Sequence, residues 1–145
     1  MTTSTDNLEQ ALGFNLHIAA FVMKQALKAA LKEAGIPLST EEVVTLLLIS
    51  DDGSEQSELQ QKLYKDKTNI TRLLDRLVLK EIVTRRKSEV NRRQQLIELT
   101  ESGHQTKLAI NKILQTFMRQ ASEDISPENY SATVKSLQQF IQNLS

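Results

Sequence analysis

The residues best suited to chemistry in this chain are basic, and they are concentrated between positions 65 and 93. Ten Lys and Arg side chains stand there against four carboxylates, so the segment carries +6 while the remainder of the neutral chain carries −6. A division of this kind turns one cationic surface towards a polyanion and keeps the remaining surface from adhering to it. On charge alone, a solvated basic surface without a partner is the alternative.

Catalytic or metal chemistry has little support in the other residue types. His17 and His104 are the only histidines, and neither is spaced to form a catalytic dyad or a metal pair with nearby carboxylates. The absence of cysteine excludes thiolate nucleophiles, disulfides and Cys-based zinc sites. The four glycines are scattered, which excludes a phosphate-cradling loop. We therefore expect no enzyme, no cofactor and no metal site.

A helix is predicted to carry the first half of the basic segment. Asp66 can cap its N-terminus, and apolar residues follow at the i, i+3, i+4 and i+7 spacing of a buried helix side. These residues are Ile70, Leu73, Leu74 and Leu77. A shorter helix, predicted over residues 55–63 with Ser54 as its cap, precedes it across a tight turn. Two helices joined in this way are typical of a helix-turn-helix, in which the second helix lies in the major groove of DNA.

A basic hairpin is predicted to carry the second half. After Lys80 the helical period stops, and residues 82–86 and 95–99 have the pattern of two short strands around a basic loop. A hairpin beside such a helix predicts a winged helix-turn-helix, with the tip placed to follow phosphates or enter a minor groove. Arg85 lies inside the first strand and has a structural alternative, an ion pair with Glu98.

The flanking sequence predicts further helices over residues 8–34, 40–50, 101–121 and 127–143. Gly35 ends the first of them, Ser39 and Glu42 have capping-box spacing before the second, and Thr100 and Ser126 cap the last two. The first helix is apolar on two sides and the last carries an apolar stripe, which predicts a helical dimerisation region made of both chain ends. The expected fold is mostly α, with a small two- to three-stranded antiparallel wing.

Taken in order, these motifs resemble the MarR family of bacterial transcriptional regulators. The resemblance is carried by Ser39, Leu59 and Leu63, by the segments 69–73 and 82–85, and by Asn-Arg-Arg at 91–93 and Leu-Thr-Glu-Ser-Gly at 99–103. This chain departs from the family where Asn91 replaces the usual Asp, where Glu81 replaces a common Gly, and where Tyr64 replaces a small residue. Unusual geometry of the wing is expected at Asn91.

The resemblance implies a homodimer that reads a pseudo-palindromic operator and represses transcription. It implies one domain over residues 1–145, with a winged helix-turn-helix lobe at about 38–100 and dimerisation helices at about 8–34 and 101–144. A winged-helix protein-interaction module without DNA binding is the alternative function. Its apolar interface would respond little to salt, whereas phosphate contacts weaken steeply as salt rises.

DNA contacts are expected from both halves of the basic segment. The predicted DNA-binding residues are Lys65, Lys67, Thr68, Thr71, Arg72, Arg76, Arg86, Lys87, Arg92 and Arg93. Base edges or nearby phosphates are expected for Lys67, Thr68, Thr71 and Arg72, and phosphate for Arg76. In the wing, Arg93 is expected in the minor groove, with its basic neighbours on phosphates.

An effector and a location are also expected. The family resemblance implies a small phenolic or lipophilic ligand between the dimerisation helices and the winged lobe. Phe14, His17 and Phe21 are candidates to line its pocket, although such a histidine is more often an ordinary packed or partly exposed residue. The longest apolar run, around residues 43–49, is too short to span a bilayer. We therefore expect a cytoplasmic, nucleoid-associated protein of a bacterial or archaeal cell that makes no membrane contact.

Overall fold

A computed structural model describes residues 5–145, so the start of the expected domain at residue 1 lies outside the described part. The helices are α1 Thr5–Leu8, α2 Leu12–Glu33, α3 Thr40–Leu48, α4 Gln56–Lys62, α5 Lys67–Leu79, α6 Glu101–Ala121 and α7 Pro127–Leu144. The strands are β1 Ser54–Glu55, β2 Val83–Lys87 and β3 Gln95–Leu99. The mostly helical class with a small wing is thus confirmed.

The predicted helix N-termini are mostly confirmed by side-chain caps. Ser39, Asp66 and Ser126 each accept a hydrogen bond from the backbone N–H three residues later, at 2.8 to 3.1 Å. Thr100 does the same for Gly103 at 2.9 Å. These bonds satisfy donors that the first turn of a helix leaves without intrahelical partners.

The prediction that Ser54 caps α4 was wrong. Ser54 lies in β1, where its hydroxyl accepts a hydrogen bond from the Ser50 N–H at 2.9 Å and closes the turn after α3. Glu55 occupies the N-cap of α4 without a side-chain hydrogen bond. The strand pairing of residues 54 and 55 with β3 takes Ser54 away from the helix that its sequence position suggested.

The single long helix predicted over residues 8–34 is interrupted near its start. α1 ends at Leu8 and α2 begins only at Leu12. The side-chain amide of Asn15 donates to the carbonyl oxygens of Glu9 at 2.7 Å and of Ala11 at 2.8 Å, which stabilises the turn between the two helices. A polar side chain that bonds to the nearby backbone competes in this way with continuous helix.

Helices α2, α4 and α5 end in the same Schellman motif, with Gly35, Tyr64 and Glu81 in the left-handed conformation after the last turn. In α5 the Ile82 N–H bonds to the Leu77 carbonyl at 3.0 Å, and the Glu81 N–H bonds to that of Val78. Tyr64 and Glu81 therefore adopt a left-handed backbone conformation that favours glycine. The turn forms in both places, although a residue with a side chain is strained there.

The strands form an antiparallel sheet in the order β1-β3-β2, with Thr84 opposite Glu98 and Arg85 opposite Ile97. The buried core is formed by apolar residues of α3, α4, α5 and β3, whose side chains are completely buried. They include Leu46, Leu59, Ile70, Leu74, Leu77 and Ile97. This core fixes helix α5 and the hairpin in one unit, so their polar sides have defined positions.

The described chain divides into two compact units, one up to Asn111 and one from Lys112 to Ser145, with the division inside α6. In the first unit, α2 buries Leu31 but leaves Phe21 58% exposed. In the second unit, α7 has no buried residue among those described. The lobe boundaries expected from the sequence remain a prediction. None of the described helices is long and apolar enough to cross a membrane.

Candidate nucleic-acid interface

Helix α5 separates an apolar side from a polar one, as its sequence period predicts. The side chains at positions 70, 73, 74 and 77 are buried. Lys67, Thr68, Arg72 and Arg76 are exposed, and Thr71 is half-buried at the edge between the two sides. The helix thus anchors itself through aliphatic contacts and presents hydroxyl and cationic groups outward.

The wing is a hairpin of β2 and β3 with an ordered turn at its tip. The Ser88 N–H bonds to the Gln94 carbonyl at 2.9 Å across the base of the loop. Asn91 Oδ1 accepts a hydrogen bond from the Arg93 backbone N–H at 3.1 Å, a local turn that Asn side chains commonly form. Asn91 therefore organises the wing backbone. The tip leaves Arg92 and Arg93 exposed.

Arg85 pairs with helix α5, and the predicted Arg85–Glu98 ion pair was wrong. Arg85 Nη1 bonds to Asp75 Oδ1 at 2.8 Å, whereas Arg86 Nε bonds to Glu98 Oε1 at 2.6 Å. Successive strand side chains point to opposite faces of a sheet. Arg86 shares its face with Glu98, while Arg85 shares that of Ile97 and points towards α5.

Arg86 is held by carboxylates on two sides. Besides Glu98, Glu89 lies 3.7 Å from its guanidinium. The hydrogen bond to Glu98, followed by the charge of the same carboxylate, raises the pKa of Arg86 above its ordinary value. A phosphate contact of Arg86 would therefore have to compete with an existing ion pair.

A buried carboxylate organises the other end of α5. Glu42 is 3% exposed, and its Oε2 accepts a hydrogen bond from Lys80 Nζ at 2.8 Å, while Arg76 Nε lies 3.7 Å from Oε1. Lys80 Nζ also bonds to the Pro37 carbonyl at 2.8 Å. The predicted capping box is thus only half formed, because the Glu42 side chain pairs with α5 instead of the start of its own helix. Sequence reasoning missed this link.

Several predicted contact residues carry no carboxylate partner within ion-pair distance in residues 7–145. They are Lys67, Arg72, Lys87, Arg92 and Arg93. Lys65, by contrast, has Glu41 at 4.0 Å. The cations without a partner lie on α5 and on the wing, so the two halves of the basic segment present uncompensated positive charge.

A polar cavity of about 490 Å³ lies between α4, α5 and the wing. Its lining residues are Gln56, Ser57, Gln60, Lys67, Thr71, Arg85, Arg93, Gln94 and Gln95. Gln56 Nε2 donates a hydrogen bond to Thr71 Oγ1 at 3.1 Å. The glutamines were not among the predicted site residues, because neutral amides give no charge signal and their convergence depends on tertiary structure.

The three predicted effector residues lie on α2 at i, i+3 and i+7 spacing. Phe14 is half-buried, and His17 and Phe21 are exposed. A separate cavity of about 530 Å³ lies further along the chain, between α2, the start of α3 and α5, and none of the three lines it. Its basic lining residues are Lys24, Lys28 and Arg76.

No group of three or more His, Asp or Glu side chains in residues 7–145 is arranged to hold a metal ion. His104 Nδ1 lies 3.9 Å from Asp51, next to Lys107, whose ammonium bonds to the Ile49 carbonyl at 2.6 Å. These contacts join the end of α3 to α6.

Comparisons with known proteins agree with this arrangement. Residues 38–95 match the MarR family. The chain is 32% identical over 111 residues to the HTH-type transcriptional regulator YdgJ of Bacillus subtilis (strain 168), a match that covers 77% of this chain and 67% of YdgJ.

Solved structures share the fold at lower identity. The transcriptional repressor CouR bound to a 23-mer DNA duplex superposes with a TM-score of 0.83 at 22% identity, covering 97% of this chain and 99% of CouR. The S. aureus MepR–DNA complex superposes with a TM-score of 0.81 at 20% identity, covering 93% and 99% of the two chains. The helix-and-wing geometry and the relationship to YdgJ lead to one assignment: this chain belongs to the MarR family of winged helix-turn-helix transcriptional regulators, and it is not an enzyme.

Proposed function

We propose that this regulator binds a pseudo-palindromic operator as a homodimer and represses the adjacent genes. The observation that carries the proposal is the uncompensated positive charge shared by α5 and the wing, of which Arg72 and Arg93 are examples. Cations without carboxylate partners are free to neutralise phosphates, and the release of counterions then drives binding. The structures of CouR and MepR, both bound to DNA, support the same role.

In this proposal α5 enters the major groove and reads base edges with its N-terminal turns. Lys67, Thr68 and Arg72 are exposed on that part of the helix, and Thr71 lies at its edge. The wing tip follows the neighbouring minor groove, where a narrow groove attracts Arg side chains. We assign the minor-groove contact to Arg93, which is exposed and whose backbone N–H is held by the Asn91 turn. Lys65, Arg76 and Arg86 contribute less, since carboxylates already hold them.

The homodimer is proposed from apolar surface that the single chain leaves open. On α2, Phe21 and Val22 are more than half exposed, and on α7 Phe140 and Ile141 are about half exposed. Exposed apolar surface of this extent on neighbouring helical turns is characteristic of protein interfaces. Two copies would place two copies of α5 on successive major grooves of one operator, about one helical turn apart.

The proposal extends to regulation and location. A small phenolic or lipophilic effector would bind beside the face of α2 that carries Phe14, His17 and Phe21, whose rings suit an aromatic or apolar ligand. Binding there would lower operator affinity if the ligand favours a dimer with misplaced α5 helices. The site of action is the cytoplasm of a bacterial or archaeal cell, on the nucleoid.

A gel-shift titration tests the proposal. The purified chain is mixed with the DNA upstream of its own gene across a range of salt concentrations, with and without phenolic acids. The logarithm of the association constant should fall by about 0.9 for each phosphate neutralised per unit change in log salt. Absence of a shifted band, or binding that is independent of both salt and sequence, would contradict the proposal and favour a protein-interaction module.

A further inference from the structure

The hydrogen bond between Gln56 and Thr71 joins the two helices of the helix-turn-helix beside the proposed DNA surface. Gln56 opens α4 and is 8% exposed, whereas Thr71 is half-buried in the second turn of α5. The donor is Gln56 Nε2 and the acceptor is Thr71 Oγ1, 3.1 Å apart. Both residues line the polar cavity, together with the cations Lys67 and Arg93.

Thr71 differs from Thr45 and Thr133 in how its hydroxyl is used. Thr45 donates to the Glu41 carbonyl at 2.9 Å, and Thr133 donates to that of Asn129 at 2.7 Å. Such bonds to the carbonyl four residues earlier are common for threonine in helices. Thr71 makes no bond of this kind within the described residues, where its hydroxyl acts only as an acceptor.

This arrangement sets the direction of the remaining hydrogen bond. A hydroxyl has one proton and two lone pairs, and the Gln56 amide occupies a lone pair of Thr71. The proton is then left for an acceptor outside the described chain. Lys67 and Arg93, which have no carboxylate partner within ion-pair distance in residues 7–145, line the same cavity, and their positive charge favours the amide orientation that turns the Gln56 carbonyl oxygen towards the cations and its N–H groups towards Thr71.

We propose that Gln56 is a specificity-determining positioning residue, which makes Thr71 a hydrogen-bond donor to one base edge. The inference rests on the proposed DNA-binding function. In the major groove, guanine N7 and O6, adenine N7 and thymine O4 accept hydrogen bonds, whereas the cytosine edge offers only the N4 donor. A donor hydroxyl at Thr71 therefore disfavours cytosine at the contacted position.

In the test, the protein binds and thereby selects duplexes from a DNA library that is randomised over about two helical turns, the span of two half-sites. The full-length chain is compared with Gln56→Met, which keeps the side-chain volume without the amide, and with Thr71→Val, which removes only the hydroxyl. Thr71→Ser keeps the hydroxyl. Gln61→Met is the matched control, because Gln61 is an exposed glutamine of the same helix that is not among the residues lining the cavity.

In Gln56→Met and Thr71→Val, we expect the ratio of affinities for the preferred base and for cytosine at the contacted position to fall by about tenfold, the usual size of a mismatch effect. The two variants should lose this discrimination at the same base pair. Thr71→Ser and Gln61→Met should keep this discrimination. Gln56→Glu should shift the preference towards cytosine or adenine, because the carboxylate takes the Thr71 proton and leaves only lone pairs for the base. A loss of affinity equal for all sequences would indicate a merely structural role, and thermal unfolding of each variant reports folding separately.

The failure of this inference is distinguishable from that of the proposed function. If the unaltered chain selects no sequence from the library, sequence-specific DNA binding itself is contradicted. If it selects a sequence and Gln56→Met keeps that preference, or Thr71→Val does so, the role of Gln56 is overturned. Should Gln56→Met fail to fold, Gln56→Glu and Thr71→Val still decide the question, because the first must change the base preference at the position that the second affects.

Discussion

Arg85 Nη1 donates a hydrogen bond of 2.8 Å to Asp75 Oδ1, and this contact joins strand β2 of the wing to helix α5. The Arg85 side chain is 24% exposed, and its Nε and Nη2 atoms are buried without another hydrogen-bond partner in the described chain. Asp75 is therefore the carboxylate that compensates this partly buried charge. The pair fixes the direction of the wing relative to the helix beside it.

Removal of Asp75 should destabilise the winged unit. We expect Asp75→Ala to lower the free energy of unfolding by about 1 kcal/mol, because the partly buried Arg85 guanidinium, whose Nε and Nη2 have no other partner in the described chain, loses its carboxylate. Chemical denaturation measures this change. Glu58→Ala is the control, since it breaks the exposed Lys62–Glu58 pair within α4, for which about 0.3–0.5 kcal/mol is usual. Equal losses in the two variants would contradict a special role for Asp75.

Glu81 stores backbone strain that glycine would relieve. Its φ of 60° lies in the left-handed region, which costs a residue with a side chain about 1–2 kcal/mol. We expect Glu81→Gly to raise the free energy of unfolding by about 0.5–1 kcal/mol after the entropic cost of glycine is subtracted. Glu81→Ala removes the carboxylate but keeps the strain, so it should give no gain. If Glu81→Ala stabilises the chain equally, the carboxylate and not the backbone is responsible.

Gly103 is required because α6 lies close to the backbone of Ile82, the residue that precedes β2. A Cβ atom at this position would overlap the Ile82 carbonyl oxygen, which already accepts hydrogen bonds from the N–H and the hydroxyl of Thr100. We expect Gly103→Ala to lower the free energy of unfolding by about 1–3 kcal/mol, the usual range for overpacking. Gly13→Ala is the control, because a Cβ atom added at Gly13 would meet nothing within 4 Å. A neutral Gly103→Ala would show that α6 can move away without cost.

Arg93 should contribute to operator affinity through a wing contact. We expect Arg93→Ala to weaken binding by more than about 1 kcal/mol and to reduce the salt slope by about one unit. Fluorescence anisotropy across salt concentrations measures both quantities. Lys62→Ala is the control, since Lys62 is an exposed cation outside the basic segment that is paired with Glu58. Unchanged affinity and slope in Arg93→Ala would exclude this contact.

Dimerisation should depend on the apolar side of α7. We expect Phe140→Glu to raise the dissociation constant of the dimer at least about tenfold, because the interface would then bury an unpaired charge. Light scattering over a range of concentrations reports the mass. Gln138→Glu, an exposed position on the same helix, should leave the mass unchanged. A monomer mass for the unaltered, folded chain at every concentration would rule out the homodimer.

The sequence by itself determined the order and type of the major elements. Caps such as Ser39 and Asp66, and the apolar period of α5, depend on residues within a few positions of one another. Local steric and hydrogen-bonding preferences are therefore sufficient to place them. The charge division that identified the basic segment is likewise a property of composition along the chain.

Tertiary structure decided which side chains meet. Alternation along β2 paired Arg86 with Glu98 and directed Arg85 to Asp75. The buried Glu42 left its expected capping role for Lys80, which lies 38 residues away. Gln56 and Thr71 converge only because α4 and α5 cross over a shared core. Pairings of this kind depend on register and packing between distant segments, and no local pattern in the sequence encodes them.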